Sequence, residues 1–383
     1  MAVALFFSFL NIYFFNLGFT VGQIGIFAAI GPLVTMIGQP GWGVLSDRTN
    51  KRRVLIIVVA GAAVMSLVLT LGTSFMFLVI ALVIYFSFAT AILPLGDAIT
   101  LQFLDGTSLK YSSIRILGAV SFGLTSVFAG VLLGGNVGRI FWYNSFFLVI
   151  TLAAVFFMSA AKKDPQTEIK NESEEKKEAE DIRDKVKFTD VIKNKVVLGV
   201  YLSSFAFGFV LSFLFAFLGI RMTEMGATEG QVGTAFFIGA FSEIPFFLFI
   251  DSFFGNKKPE YILMFSAFFM GVRLFIMFLS ESIFLIYVAQ AFHGASFIVH
   301  LYFCIILLHR HSPEHLKSTV QTIHAMIRMG VSGLLGSISG SLLAQQIGIQ
   351  NVFLMLAILI LSTCFVLPAI LIIYNGVKRR KHV

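Results

Sequence analysis

The chain has 383 residues, 57% of them hydrophobic and only 13% charged, with a mean hydropathy of +0.90. Soluble domains average about 45–50% apolar and about 25% charged residues. Apolar runs near or above 20 residues recur along the whole length, as membrane-crossing helices require, and this excludes a soluble globular domain.

Bounded by Gly, Pro or charge, the apolar runs fall at 1–17, 21–46, 54–73, 75–104, 111–135, 138–161, 196–222, 228–253, 261–280, 282–308, 317–344 and 351–375. The pattern predicts an all-α polytopic membrane protein of twelve transmembrane helices. Residues 1–161 form an N-terminal six-helix bundle, and 196–383 a C-terminal six-helix bundle with a basic tail. The first run starts at Met1 and sits at the lower limit for crossing the hydrocarbon core. No charged residue precedes it, so the first helix reads as truncated.

Between the bundles, residues 162–195 carry ten Lys/Arg and ten Asp/Glu and are neutral overall. The net charge of +8 therefore resides elsewhere, at "DRTNKRR" (47–53), "NKK" (256–258), "HRHSPEHLK" (309–317) and "KRRKH" (378–382). These are alternate loops and the tail, so the positive-inside rule places them, and both termini, in the cytoplasm of a cell carrying the protein in its plasma membrane. Basic charge confined to such loops gives no reason to expect nucleic acid. Cys304 and Cys364 lie in apolar segments with no metal or redox spacing. No metal site and no cofactor are expected.

Ionisable residues inside apolar segments are costly and mark functional sites by default. In the N-terminal bundle they are Asp97 in "LPLGDAITL" and Arg115 in "IRILGAVSFG". Each stands nine residues from a turn near Gly106, about 13 Å along its helix, so the two reach the same depth and can pair. In the C-terminal bundle they are Glu243 in "FSEIPFF", Arg273 in "GVRLF", and His293 and His300 in "AFHGASFIVHLYF". The two histidines are seven apart, two turns on one helix face. A carboxylate and histidines on adjacent helices suit proton or substrate handling. The seven-residue spacing, with no third ligand nearby in sequence, argues against zinc. Helix 11 adds His324 and Arg328, then a glycine series that lets a neighbour approach closely. Arg328 is equally placed to serve an anionic substrate or to pair with an acid.

The two halves echo one another. Asp47 with Lys51-Arg52-Arg53 after helix 2 corresponds to Asp251 with Lys257-Lys258 after helix 8, the mark of a parallel repeat. "GVLSDRTNKRRVL" (43–55) resembles the loop 2–3 signature of the major facilitator superfamily through Gly43, Leu45, Asp47, Arg48, Arg52 and Leu55. Asn50 replaces a Gly of that signature, and Asn tolerates the left-handed backbone that a Gly there implies. "IGIFAAIGPLVTMIGQPGWGVLSD" resembles helix 2 of lactose-permease-like symporters. "PLGDAITL", "IRILGAVSFG", "SEIPFF", "GVRLFIMF" and "QAFHGASFIVHLYF" have ordered counterparts in the phenylpropionate-permease-like and nucleoside-symporter-like groups.

This resemblance implies a transporter that works by alternating access, not an enzyme. It implies proton-coupled symport of a sugar, nucleoside or aromatic acid, with protons and the lipid bilayer as its other partners and a monomeric state. By the same resemblance, Asp97, Arg115, Phe122, Arg273 and His293 bind substrate, and Glu243 and His293 couple protons; His300, on one face with His293 by its spacing, is assigned to proton coupling with them. Gly43, Asp47, Arg48 and Arg52 form the conformational loop motif. Phe122 stands where the lactose-permease-like pattern has Trp, and Ser296 where it has a proton-carrying Glu. The alternatives are a drug/proton antiporter, which would be expected to show a Pro in helix 5, or a uniporter. No nucleophile or metal cluster marks an integral-membrane enzyme, and no pore loop marks a channel.

Overall fold

A computed structural model describes residues 1–104, 111–157, 194–255, 257–313 and 316–363, except the side chains of residues 111–113, 115, 251, 259, 260 and 318. The described residues form helices and no strands. In chain order these are α1 (Ala2–Asn16), α2 (Val21–Arg48), α3 (Lys51–Val68), α4 (Phe75–Leu104), α5 (Tyr111–Leu133), α6 (Ile140–Phe157), α7 (Lys195–Glu224), α8 (Glu229–Phe254) and α9 (Pro259–Leu279). Then come α10 (Ile283–Arg310), α11 (Lys317–Ala325, continued by Ser332–Ile347) and α12 (Ile349–Thr363). These twelve helices occupy the twelve apolar runs of the sequence. Most of the expected charged loop (162–193), the basic tail and Cys364 lie outside the described residues.

Two helices are not α-helical throughout. Gly294–Ile298 in α10 and Met326–Val331 in α11 each form a π turn. Such turns insert a residue into the helical register and often occur at functional sites.

The first six helices pack among themselves, α3 against α4 and α6, and α2 against α4. A buried polar knot ties three of them together. Asn144 donates 3.0 Å bonds to Ser66 and to Tyr85, and Ser66 donates to the Phe141 carbonyl at 2.8 Å.

Two helix pairs, α5 with α8 and α2 with α11, form the main seams between the halves. They are related by the repeat. α2 opens on Thr20-Val-Gly-Gln-Ile-Gly25 and α8 on Thr228-Glu-Gly-Gln-Val-Gly233. In both, the threonine hydroxyl accepts from the backbone N–H of the glutamine three residues on. The glutamine side chain accepts the threonine backbone N–H in return. This capping box satisfies two otherwise orphaned donors and fixes where each helix begins.

The glycines that follow set the seams. A Cβ on Gly25 would lie 1.8 Å from Ser341 Oγ, and one on Gly233 would lie 1.8 Å from the Ser126 carbonyl. A Cβ on Gly130 would lie 2.2 Å from the Gly230 Cα. Backbone approach this close admits no side chain at those positions. All of these contacts lie at the end of the molecule away from Asp47. Toward the Asp47 end, Gly41 and Gly118 have no atom within 4 Å of a Cβ position. The halves thus press together at the end away from Asp47.

Asn50 corrects the sequence expectation. Its backbone is extended (φ −144°, ψ 118°), and its side chain caps α3 by accepting from the N–H groups of Arg52 and Arg53. The Gly-to-Asn change in the loop signature therefore supplies a helix cap, because an Asn oxygen satisfies free N–H groups at a helix start.

The α5–α8 seam can be tested by chemical access. In a Gly233→Val variant, overpacking of about 1–3 kcal/mol acts against the closed seam. A cysteine placed at Ser126, which is fully buried, should be inert to a membrane-impermeant maleimide in the parent and react in the Gly233→Val background. Equal inertness in both would contradict the packing described.

Candidate functional site

Arg273, midway along α9, has 0% exposure and is the largest fully buried side chain among the described residues. Moving an ion of this size out of water costs several kcal/mol unless its donors are satisfied and its charge is balanced. Its direct partners both come from one neighbouring helix. One terminal nitrogen donates to Gln290 Oε1 at 2.5 Å, and the other lies 2.7 Å from His293 Nδ1, both on α10. The opposite ring nitrogen of His293, Nε2, lies 3.0 Å from Glu243 Oε1 on α8.

This geometry dictates the tautomer. A guanidinium has only donors, so His293 Nδ1 must accept. The proton of the neutral ring is then on Nε2 and is donated to Glu243. Gln290, Arg273, His293 and Glu243 thus form one hydrogen-bonded relay across three helices. Within it, the positive Arg273 and the negative Glu243 flank a neutral imidazole.

The relay is held by packing. His293 is stacked on Phe297 (5.1 Å between centroids, 9° between planes), and Phe215 of α7 meets the same ring edge-on at 5.7 Å. Ser242 of α8 accepts from the Gly294 N–H at 2.9 Å, where the α10 π turn begins. A Cβ on Gly294 would lie 2.0 Å from the Ser242 carbonyl, so a glycine at this point lets α10 approach α8. Arg273 Nε and Gln290 Nε2 remain buried without partners.

His300 does not join this relay. The π turn lies between the two histidines and shifts the register, so a seven-residue spacing no longer means one common face. His300 Nε2 lies 2.9 Å from Ser203 Oγ on α7, and its ring is stacked on Phe207 at 3.7 Å. Beside it, Ser204 Oγ lies 2.8 Å from His324 Nε2 and 3.5 Å from Cys304 Sγ. This second polar cluster joins α7, α10 and α11. Among the described residues no His/Cys/Asp/Glu group has metal-site geometry.

In the N-terminal half, Asp97 is partly buried on α4 and is not an isolated charge. The Arg115 side chain, its expected partner, lies outside the described residues. Phe122 is half-buried and packs on the main apolar core. Of the loop motif, Arg52 reaches the end of α6, donating to the carbonyls of Val155 (3.0 Å) and Phe156 (2.5 Å). Asp47 and Arg48 are exposed, and Gly43 and Asp47 line a cleft of about 240 Å³ between α2 and α4.

Residues 1–355 match the model of the MFS_1 like family. The chain belongs to the MFS_1 like family. It is a transporter of the major facilitator type and not an enzyme. Over 343 residues, 88% of this chain and 82% of the relative, it is 26% identical to the Bacillus subtilis (strain 168) transporter YwbF. Over 337 residues it is 23% identical to the maltose permease of Geobacillus stearothermophilus, with the same shares covered. The fold is that of the nucleoside transporter NupG (TM-score 0.78, 15% identity, 96% and 95% of the two chains). It is also that of a bacterial homologue of the human lysosomal transporter Spinster (TM-score 0.69, 10% identity, 99% and 93% of the two chains).

Sequence reasoning missed Gln290, Ser203 and Ser204. Gln290 carried a signal, an amide in an apolar helix three residues before a histidine. The serines carried none, because serine is common in membrane helices.

The relay should appear as energetic coupling. In a double-mutant cycle on unfolding stability, Arg273→Gln and Gln290→Ala should couple by about 0.5–3 kcal/mol. Arg273→Gln and His300→Gln, which share no partner, should add to within about 0.3–0.5 kcal/mol. Additivity in the first pair would mean that the relay does not form.

Proposed function

We propose that this protein is a secondary active transporter that carries a small organic solute together with protons, by alternating access between the two six-helix halves. The observation that carries the reading is the relay Glu243–His293–Arg273, an acid, an imidazole and a base buried in line between three helices. The names of the relatives, a maltose permease and a nucleoside transporter, agree with a small polar solute. Sugar, nucleoside and aromatic acid are the classes considered.

The chemistry follows from the hydrogen bonds. With Glu243 ionised, His293 donates to it and the relay is neutral. In this reading Glu243 takes up a proton when α8 turns away from α10 and the His293 donor is lost. The proton reaches Glu243 directly or through His293 Nε2, and the relay gains one positive charge. Return of α8 restores the donor and releases the proton. His300, in its own cluster with Ser203, offers a second imidazole outside this exchange. Ser296, at the position where the resemblance expected an acid, is buried and donates to the carbonyls of Phe292 and His293. A serine hydroxyl is no carboxylic acid, so Glu243 takes that part.

In this reading Asp97, Arg115 and Phe122 contribute the N-terminal wall of the substrate cavity, and Arg273 and His293 the C-terminal wall. Gly43, Asp47, Arg48 and Arg52 hold the α2–α3 turn against α6 as the halves rock. The protein works as a monomer in the plasma membrane with both termini in the cytoplasm, the orientation that the basic loops favour.

Glu243→Gln fixes a neutral side chain of the same shape. In proteoliposomes it should abolish accumulation against a gradient while retaining exchange of solute down its gradient. Uphill accumulation by Glu243→Gln, together with wild-type uptake indifferent to a protonophore, would exclude proton symport and leave a carrier coupled to another ion such as sodium.

A further inference from the structure

Among the described residues of the membrane-embedded C-terminal half, one arginine has no acid. Near the end away from Asp47, Arg221 lies 3.6 Å from Glu224 and donates to Gln350. Arg273 is balanced by Glu243 through His293. Arg328 is different: among the described residues no carboxylate lies within ion-pair distance of it, and its Nε is buried without any partner.

The fold places Arg328 on purpose-built backbone. It lies within the α11 π turn, where Ser332 Oγ donates to the Ile327 and Arg328 carbonyls at 2.5 and 2.7 Å. Gly208 of α7 lies against the same carbonyl, where a Cβ would approach to 2.3 Å. Two residues on, Gly330 packs on Met36 of α2, at the seam between the halves. The Arg328 side chain extends over the Phe297 ring of α10 at 5.9 Å, and the residue stays partly open. Phe297 stacks in turn on His293 of the relay. A single aromatic ring therefore separates Arg328 from His293 of the relay.

The nearby polar groups do not compensate the charge. His300 is engaged with Ser203 and His324 with Ser204, and neither pair brings a carboxylate. A cation–π contact recovers only part of what a guanidinium loses on leaving water. A planar fork of donors held at a seam, with no acid of its own, fits a bidentate carboxylate brought by a ligand.

We infer that Arg328 is the anion-binding group of the substrate site and that the transported solute is an organic monocarboxylate. The inference rests on the transporter reading above and narrows its substrate class. One uncompensated positive charge matches one negative charge, which selects a carboxylate over a phosphate dianion. Arg328 reads the carboxylate, and the rest of the solute lies toward the α2–α11 seam. Glu243 takes its proton beyond Phe297 and His293, so an anion and a proton arrive together and the loaded site keeps its charge.

The test is equilibrium binding to the purified full-length protein in lipid nanodiscs. Acetate, lactate and benzoate would be compared with benzamide, maltose, uridine and inorganic phosphate. At least one carboxylate should bind, and benzoate at least tenfold more tightly than benzamide. Arg328→Gln should weaken carboxylate binding at least tenfold, while Arg328→Lys, which keeps the charge but not the fork, should recover part of it. Monodisperse elution of both variants guards against a folding defect. The inference fails if no carboxylate binds, if maltose or uridine binds with the same affinity to wild type and Arg328→Gln, or if phosphate binds more tightly than every carboxylate. Uptake of the bound carboxylate that ignores a protonophore would overturn proton coupling alone and leave the anion site standing.

Discussion

A guanidinium buried at 0% exposure governs the C-terminal half. Arg273 cannot shed its proton, so its charge must be met by groups fixed in place around it. Gln290 and His293 supply two acceptors from one helix, and Glu243 supplies the balancing charge from another through the imidazole. Three helices are thereby held to a common register. The same requirement sets the tautomer of His293, and with it the direction in which a proton can pass. Structural necessity and the proposed proton chemistry draw on the same groups, because the exchange proposed for Glu243 depends on the donor that His293 gives it.

The seams between the halves obey a different constraint. Alternating access needs surfaces that meet closely at one end yet can part, and interdigitated large side chains would resist that. Both halves use glycine and serine where they touch: Gly25 against Ser341, and Gly233 against Ser126. Rings also meet across the halves, Phe7 of α1 against Phe215 of α7 and Phe236 of α8. Others lie inside each half, Phe9, Phe14, Phe27 and Phe141 in one and Phe207, Phe213, Phe217 and Phe353 in the other.

Much of this was legible. The twelve helices follow from runs of apolar residues, since a backbone in a bilayer must satisfy its own hydrogen bonds and a helix does so locally. Glu243, Arg273 and His293 stood out as ionisable residues in such runs, and the structure brings them together. The repeat was read from Asp47 and Asp251, although its plainest trace is the pair of capping boxes that open α2 and α8. The left-handed backbone expected at Asn50 was wrong because the side chain had a better use as a cap.

Sequence by itself determined residence in the membrane, the helix count, the repeat and which residues carry charge at depth. These depend on composition and local hydrogen bonding, which each segment settles alone. Tertiary structure decided which polar groups meet. His293 and His300 sit on one helix, yet the π turn between them aims one at α8 and α9 and the other at α7. Arg328 became the cation without an acid only once helix crossings had assigned Glu243 to Arg273. Register and crossing arise from the packing of several helices at once, and no single segment encodes them.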